Sequence, residues 1–305
     1  MKTPIWFGRR GLIAWALLPF SGLYYIANRI VMKMRARHPL VSKRKIICVG
    51  NLLAGGVGKT PVVRQIASAL DAPVVMRGYK KTKKTSGIGD EALMLSRAGL
   101  IVHTGDRKSN IILLNKQRSK KPIVMDDGFQ NLSIKKDISV IVIDESIGFG
   151  NGFLLPAGPM REGMSGLSRA DAIIIMKSNG SKPHKNLKVP VGIPVFYAEN
   201  KTVSPYKENV PLVAFAGIGY PKKFFRGLKN VVYKKSFPDH YQYTDSDIKK
   251  LLSMAEKHNA KPITTEKDWV RIPKKYQDVI KFAGLDTKID DKFFDWLGGR
   301  LNGDI

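Results

Sequence analysis

The stretch IICVGNLLAGGVGKTPVVRQIASAL, Ile46–Leu70, decides the fold. It opens on a short, largely β-branched apolar run, passes through a glycine-rich turn, and continues as a pattern with apolar residues at helical spacing. This is strand, loop, helix. Within it Leu53–Thr60 reads LAGGVGKT. A phosphate loop follows G-x-x-x-x-G-K-[ST], and Gly58, Lys59 and Thr60 match its second half. Position 53, where the first glycine belongs, is Leu53. Gly55 and Gly56 supply side-chain-free backbone instead. Backbone N–H groups from Leu53, Ala54, Gly55, Gly56, Val57 and Gly58 can cradle phosphate oxygens, and the helix start near Lys59 adds its positive end. Lys59 would reach the β and γ phosphates, and Thr60 would hold Mg²⁺. The plainer reading, a glycine loop with a chance lysine, is weakened by the preceding strand and following helix.

Outward from this stretch, more short apolar runs alternate with helical patterns. The runs are Pro73–Met76, Leu100–His103, Ile123–Met125, Val140–Ile143, Ala172–Met176 and Val213–Ala216, and the helical patterns include Glu91–Ala98 and Ser109–Arg118. Alternation of this kind predicts an α/β fold, a phosphate-loop core on a mostly parallel sheet. A polar segment at 199–211 marks a boundary. Beyond it come a strand, a helix at Pro221–Leu228 and a helix at Asp245–His258. The expected organisation is an N-terminal helix at 1–36, a core at 37–200 and a smaller α/β domain at 201–305.

The chain has 305 residues, enough for about two domains. Lys plus Arg number 52 against 25 Asp plus Glu, a net charge of +27. Such a balance points to an anionic partner: nucleic acid, an anionic membrane or a phosphorylated small molecule. A single cysteine, Cys48, excludes an internal disulfide framework and a four-thiolate zinc site. No acid occurs before Asp71. In that basic stretch lies a charge-free run, Leu12–Asn28, about 25 Å long as a helix against a hydrocarbon core of about 30 Å. Pro19 and Gly22 are expected to kink it. A signal peptide lacks its cleavage site here, and a core helix does not need basic flanks. A membrane-seated helix, interfacial or marginally spanning, uses both the apolar run and the flanks.

Carboxylates stand at strand and helix ends. PIVMDD, Pro122–Asp127, places Asp126 and Asp127 after an apolar strand, as a Walker B element does. Asp90 and Glu91 precede an Ala/Leu/Met helix, where Asp90 is a natural N-cap. Glu91, Asp126 and Asp127 join Thr60 as candidate Mg²⁺ ligands. A strand-terminal turn and an ordinary cap are the plainer readings of these pairs.

Several segments in order resemble one family: VGNLLAGGVGKTP (Val49–Pro61), MRGYKK (Met76–Lys81), GDE (Gly89–Glu91), DDGFQN (Asp126–Asn131), GNGFLLPAGPMRE (Gly150–Glu162), AGIGYPKKFF (Ala216–Phe225), FPDHYQY (Phe237–Tyr243) and TTEKDWVR (Thr264–Arg271). They resemble the tetraacyldisaccharide 4′-kinases, which phosphorylate the lipid A precursor in Gram-negative bacteria. The resemblance implies ATP- and Mg²⁺-dependent transfer of the γ-phosphoryl to the 4′-hydroxyl of a tetraacylated glucosamine disaccharide 1-phosphate. It implies seating on the cytoplasmic face of the bacterial inner membrane. The expected partners are the lipid disaccharide and an anionic membrane surface, with no nucleic acid and no obligate protein partner.

The resemblance also implies site roles. Asp90 is the proton acceptor and His240 its hydrogen-bonded partner. Arg161 is a cation for the γ-phosphate, and Gln130 positions a phosphate or sugar oxygen. Thr264–Asp268 receives no role. His38, His103, His184 and His258 lack comparable context. Two departures stand out: a lysine in MRGYKK where a small residue is usual, and Tyr241 where a second histidine is common. The competing reading is a membrane-associated partition ATPase, which would carry lysine at position 54, where Ala54 stands. A nucleic-acid module would need a groove-reading helix or aromatic platforms, and neither is evident.

Overall fold

The computed structural model describes residues 5–78, 89–177, 183–185, 187 and 189–303. Tyr79, Lys80 and Lys81 of the MRGYKK element, and parts of the polar connection after Lys177, lie outside the described residues. In chain order come α1 (Leu12–Ala16), α2 (Leu18–Ala36), β1 (Ile46–Gly50), α3 (Lys59–Ala69), β2 (Val74–Met76), α4 (Asp90–Arg97) and β3 (Val102–Thr104). Then follow α5 (Arg107–Asn115), β4 (Ile123–Asp126), β5 (Ile138–Asp144), β6 (Ala172–Lys177), β7 (Val195–Val203), β8 (Leu212–Ala216) and α6 (Pro221–Arg226). The chain ends with β9 (Val231–Ser236), α7 (Asp245–Lys257), β10 (Lys261–Thr265), α8 (Glu266–Trp269), β11 (Lys281–Ile289) and α9 (Asp291–Asn302).

Two units divide the described chain. The larger holds 5–78, Leu95–Glu199 and 287–303, and the smaller holds 89–94 and Asn200–Asp286. Residues 89–94, expected in the core, join the smaller unit, and two more differences from the expected organisation follow. The N-terminal helices group with the larger unit instead of forming a region of their own, and α9 returns to that unit instead of staying with 201–305. The physical reason for the second is apolar. Phe293 and Leu297 are buried, and Phe293 and Trp296 pack on Phe196 with ring centroids 5.4 and 5.7 Å apart.

In the larger unit the strand order is β3-β2-β4-β1-β5-β6-β7, every pair parallel. β1, β4 and β5 are buried throughout, as a sheet covered on both faces requires. Their continuous apolar runs are therefore core sequence. α3 covers β1 with Val62, Val63, Ile66 and Ala67, all inaccessible and spaced at helical period. Val62, Val63 and Ile66 each contribute about 1.5–3 kcal/mol by burial. β1 leads to β2, which lies beyond β4, while β5 flanks it on the other side. The loop after β1 thus opens at the carboxyl ends of parallel strands, at the point where the chain order reverses, and there α/β sheets take ligands.

The smaller unit is a parallel sheet of order β11-β10-β8-β9. The period of two along β8 splits its core. Val213 and Phe215 face Ile248, Leu251 and Ala255 of α7, with Trp269. Leu212, Ala214 and Ala216 face Phe224, Phe225 and Leu228. Thr244 caps α7 and forms a capping box with Asp247.

The N-terminal run differs in detail from expectation. The break falls at Leu17, with Pro19 in the first turn of α2, where a missing N–H costs nothing. Gly22 sits inside α2, and the helix continues past Asn28 through Arg29, Lys33 and Arg35. Among the described residues no helix is long and apolar enough to cross a membrane. α4 begins on Asp90 itself, so this residue opens the first turn and does not cap it.

Candidate active site

The phosphate loop is held from several sides. Gly55 has φ +124° and Gly58, which precedes α3, has φ +85°. Both lie where a side chain would be strained, which explains glycine at these points. Leu53 pairs with Met160 in an isolated antiparallel bridge and is buried, as is Val57. The atypical leucine therefore anchors the loop inward. Ala54 N–H donates to the Pro159 carbonyl at 2.7 Å, and Arg161 N–H donates to the Leu52 carbonyl at 2.7 Å. Asn51 closes the near side: its Nδ2 donates to the Leu53 carbonyl at 3.0 Å, and its Oδ1 accepts from Lys59 Nζ at 3.1 Å.

Two cations meet at one carboxylate. Lys59 Nζ lies 3.3 Å from Asp127 Oδ1, and Arg161 Nη1 donates to both Asp127 oxygens at 2.9 Å. Asp127 is mostly buried and has φ +50°, a strained conformation for aspartate. Burial works to raise its pKa, but the Lys59 and Arg161 charges and hydrogen bonds outweigh it and hold the carboxyl below its ordinary value. Arg107, which sequence reasoning passed over, donates from Nη2 to the carbonyls of Asp126 and Asp127 at 2.8 and 2.9 Å. Its place at the start of α5, behind the Asp106 cap, gave no chemical signal.

Gln130, expected to position a phosphate or sugar oxygen, has its amide nitrogen engaged within the protein. Its Nε2 donates to the Asn51 carbonyl at 2.8 Å and to Glu162 Oε1 at 2.9 Å, which makes it a brace of the loop. Glu162 in turn pairs with Arg169. The backbone of Arg161 is fixed from α2: Tyr24 Oη donates to its carbonyl at 2.8 Å and Asn28 Nδ2 at 3.1 Å. One residue along, a cavity of about 340 Å³ is lined by Tyr25, Asn28, Arg29, Lys33, Glu162 and Arg169, among others.

The smaller unit holds a second constellation. His240 Nδ1 lies 3.4 Å from Asp90 Oδ2. The FPDHYQY turn sets the histidine: His240 has φ +59°, and its N–H donates to the Gly217 carbonyl at 3.1 Å. The structure also brings in a residue that sequence reasoning had not assigned. Arg271, at the end of the TTEKDWVR segment, donates from Nε to Asp90 Oδ2 at 2.7 Å. It is fully buried and pairs with Asp268 at 3.2 Å. Burial works to raise the Asp90 pKa, while the His240 hydrogen bond and the Arg271 charge and hydrogen bond outweigh it and lower the pKa. Burial pushes the Asp268 carboxyl up.

The metal candidates separate. Thr60, in the first turn of α3, and Asp126, buried at the end of β4, offer a hydroxyl and a carboxylate, the hard oxygen donors Mg²⁺ prefers. β4 pairs with β1 at Val49↔Asp126, which puts that carboxylate beside the strand leading into the loop. Asp127 is occupied by its two cations. Glu91 belongs to the smaller unit, with Lys267 Nζ 3.6 Å from its carboxylate. Among the described residues no three His, Cys, Asp or Glu side chains cluster for a metal.

A parallel sheet with a phosphate loop after its central strand, and a lysine and an arginine converging on a strand-end aspartate, defines a phosphate-loop protein of the phosphoryl-transfer type. The family model for tetraacyldisaccharide-1-P 4′-kinase matches residues 13–302. The tetraacyldisaccharide 4′-kinase of Paramagnetospirillum magneticum is 37% identical over 300 residues, covering 90% of each chain. That of Maricaulis maris is 36% identical over 287 residues, covering 86% of this chain and 84% of the relative. The chain belongs to the tetraacyldisaccharide-1-P 4′-kinase family. The crystal structure of LpxK from Aquifex aeolicus in complex with ATP shares the fold, with a TM-score of 0.76 at 24% identity over 95% of this chain and 99% of that one.

Proposed function

We propose that this chain transfers the γ-phosphoryl of ATP to the 4′-hydroxyl of a tetraacylated glucosamine disaccharide 1-phosphate, giving the 4′-phosphorylated lipid A precursor. Family membership supports the reaction, and the convergence of Lys59 and Arg161 on Asp127 at the phosphate loop carries the assignment of the nucleotide site. It leaves the partition-type ATPase without support. Backbone N–H groups of the loop bind the triphosphate, apart from that of Ala54, which is given to the Pro159 carbonyl. Lys59 and Arg161, gathered by Asp127, meet the charge that spreads over the equatorial oxygens during transfer. Gln130 and Asn51 keep the loop in shape. Asp90 accepts the hydroxyl proton, and His240 orients it. Thr60 and Asp126 would hold Mg²⁺, which would supply charge neutralisation on the phosphates.

The substrate's acyl chains keep it in a bilayer, and α1–α2 suit that setting. Leu12, Trp15, Phe20, Leu23, Ile26, Ile30 and Met34 are all more than half exposed, among basic side chains. An apolar face of this size is a membrane-docking feature, and the basic residues suit anionic lipid. Because Tyr24 and Asn28 hold the Arg161 backbone, the same helix links the membrane to the nucleotide site. The basic cavity beside α2 fits an anionic sugar headgroup. A reaction that draws on ATP and on a lipid held in a bilayer suits the cytoplasmic face of the inner membrane. The test is phosphoryl transfer by the purified protein with ATP, Mg²⁺ and the disaccharide lipid. ATP turnover that ignores the lipid would reject the proposal.

A further inference from the structure

Arg271 has the features of a residue built for one task. Its side chain is wholly inaccessible, yet it carries a fixed charge. Its guanidinium is spread over four neighbours: Asp90 Oδ2 at 2.7 Å, the Gly217 carbonyl at 3.1 Å, Asp268 Oδ1 at 3.2 Å, and His240 Nδ1 at 3.4 Å from Nη2. Asp268 is also inaccessible, and its other oxygen accepts from Thr265 Oγ1 at 2.7 Å. The Gly217 carbonyl that accepts from Arg271 also accepts from the His240 N–H. A Cβ at Gly217 would meet Asp268 Oδ1 at 3.0 Å, so the glycine permits this packing. Sequence positions 90, 217, 240, 268 and 271 are thus tied through one guanidinium.

Both side-chain contacts on Asp90 fall on the same oxygen. Arg271 and His240 engage Oδ2, and among the described residues no hydrogen bond is made to Oδ1. A carboxylate with one oxygen saturated by donors presents the other as its proton acceptor.

We propose that Arg271, seated on Asp268, is the positioning residue of the proton-accepting carboxylate: it locks Asp90 through Oδ2 and thereby assigns Oδ1 to the substrate hydroxyl. The inference rests on the reading of Asp90 as the base. In the step, the hydroxyl oxygen bonds to the γ-phosphorus as the bond to the β,γ-bridging oxygen breaks. The proton passes to Oδ1, and the electron pair leaves with ADP. Arg271 touches none of these atoms. The planar fork does this better than lysine, because a single ammonium cannot meet Asp90, Gly217 and Asp268 together.

The test compares Arg271→Ala, Arg271→Lys and Asp90→Asn as full-length enzymes in the lipid phosphorylation assay, with melting temperatures in parallel. Arg271→Ala is expected to lower kcat about a hundredfold, the cost of a misplaced catalytic group, with KM for ATP unchanged. Guanidinium at sub-denaturing concentration restores part of that kcat in Arg271→Ala and none in Asp90→Asn. Arg271→Lys is expected to fold and to show a smaller kcat loss at unchanged KM. Wild-type kcat in either Arg271 variant overturns the proposal, as does a loss in Arg271→Ala that neither guanidinium nor lysine relieves. Where Arg271→Ala shows no melting transition, the lysine variant decides by the same criterion. An active Asp90→Asn would instead remove the base itself, whatever the arginine does.

Discussion

Nη1 of Arg161 donates to both carboxylate oxygens of Asp127 at 2.9 Å, and Lys59 lies on the same carboxylate. Asp127 thereby gathers in one place the two cations that phosphoryl transfer needs. It is held below its ordinary pKa by them against the opposing effect of burial. A carboxyl whose folded pKa is depressed stabilises the fold fully above its unfolded value, and that contribution is lost as pH falls through the folded one. Thermal denaturation should therefore show an acid loss of stability below about pH 4 that is smaller in Arg161→Ala than in the wild type. Parallel acid profiles in the two proteins would mean that the pair has no such coupling.

His240→Ala removes one of the hydrogen bonds that lower the Asp90 pKa. The remaining upward effect of burial then gains weight, and the Asp90 carboxyl moves up. The acidic limb of the kcat profile is expected to shift to higher pH, with kcat reduced about tenfold to a hundredfold as the orientation of the base is lost. An unaltered profile would dissolve the pairing of His240 with Asp90.

The two faces of α2 should separate by experiment. Leu23→Glu with Ile30→Glu changes only exposed positions and is expected to weaken flotation with anionic liposomes while turnover in detergent persists. Tyr24→Phe with Asn28→Ala cuts the hydrogen bonds to the Arg161 carbonyl and should lower kcat with liposome binding intact. Deleting the whole helix would confound the two effects. Equal flotation by the wild type and the double glutamate variant would place the membrane contact elsewhere.

Loop bracing offers a third separation. Gln130→Ala frees the Asn51 carbonyl and Glu162 at once. Because it shapes the cradle and not the cations, KM for ATP is expected to rise about tenfold, with a smaller change in kcat. A lost kcat at unchanged KM would return Gln130 to the role of a group facing the reacting phosphate.

What could be read from sequence followed from how local each signal was. β1, the glycine turn and α3 are contiguous, so apolar runs, the positive-φ glycines and helical spacing all reported on the same 25 residues of Ile46–Leu70. Leu53 looked like a flaw in the motif because its partner, Met160, lies far along the chain. Gln130 looked like a ligand for the same reason: its partners are Asn51 and Glu162. Arg271 stands 181 positions from Asp90, and nothing near either residue encodes their contact. The final helix was assigned by chain order to the neighbouring domain, whereas its aromatic face packs on Phe196 of the other unit.

The most direct test is transfer of labelled γ-phosphate from ATP to the disaccharide lipid by Asp90→Asn, with ATP binding measured on the same preparation. Transfer is expected to fall by about 10²–10⁴-fold, the range for a lost general base, with ATP affinity retained. Transfer at the wild-type rate would contradict the assignment of Asp90 as the acceptor of the hydroxyl proton.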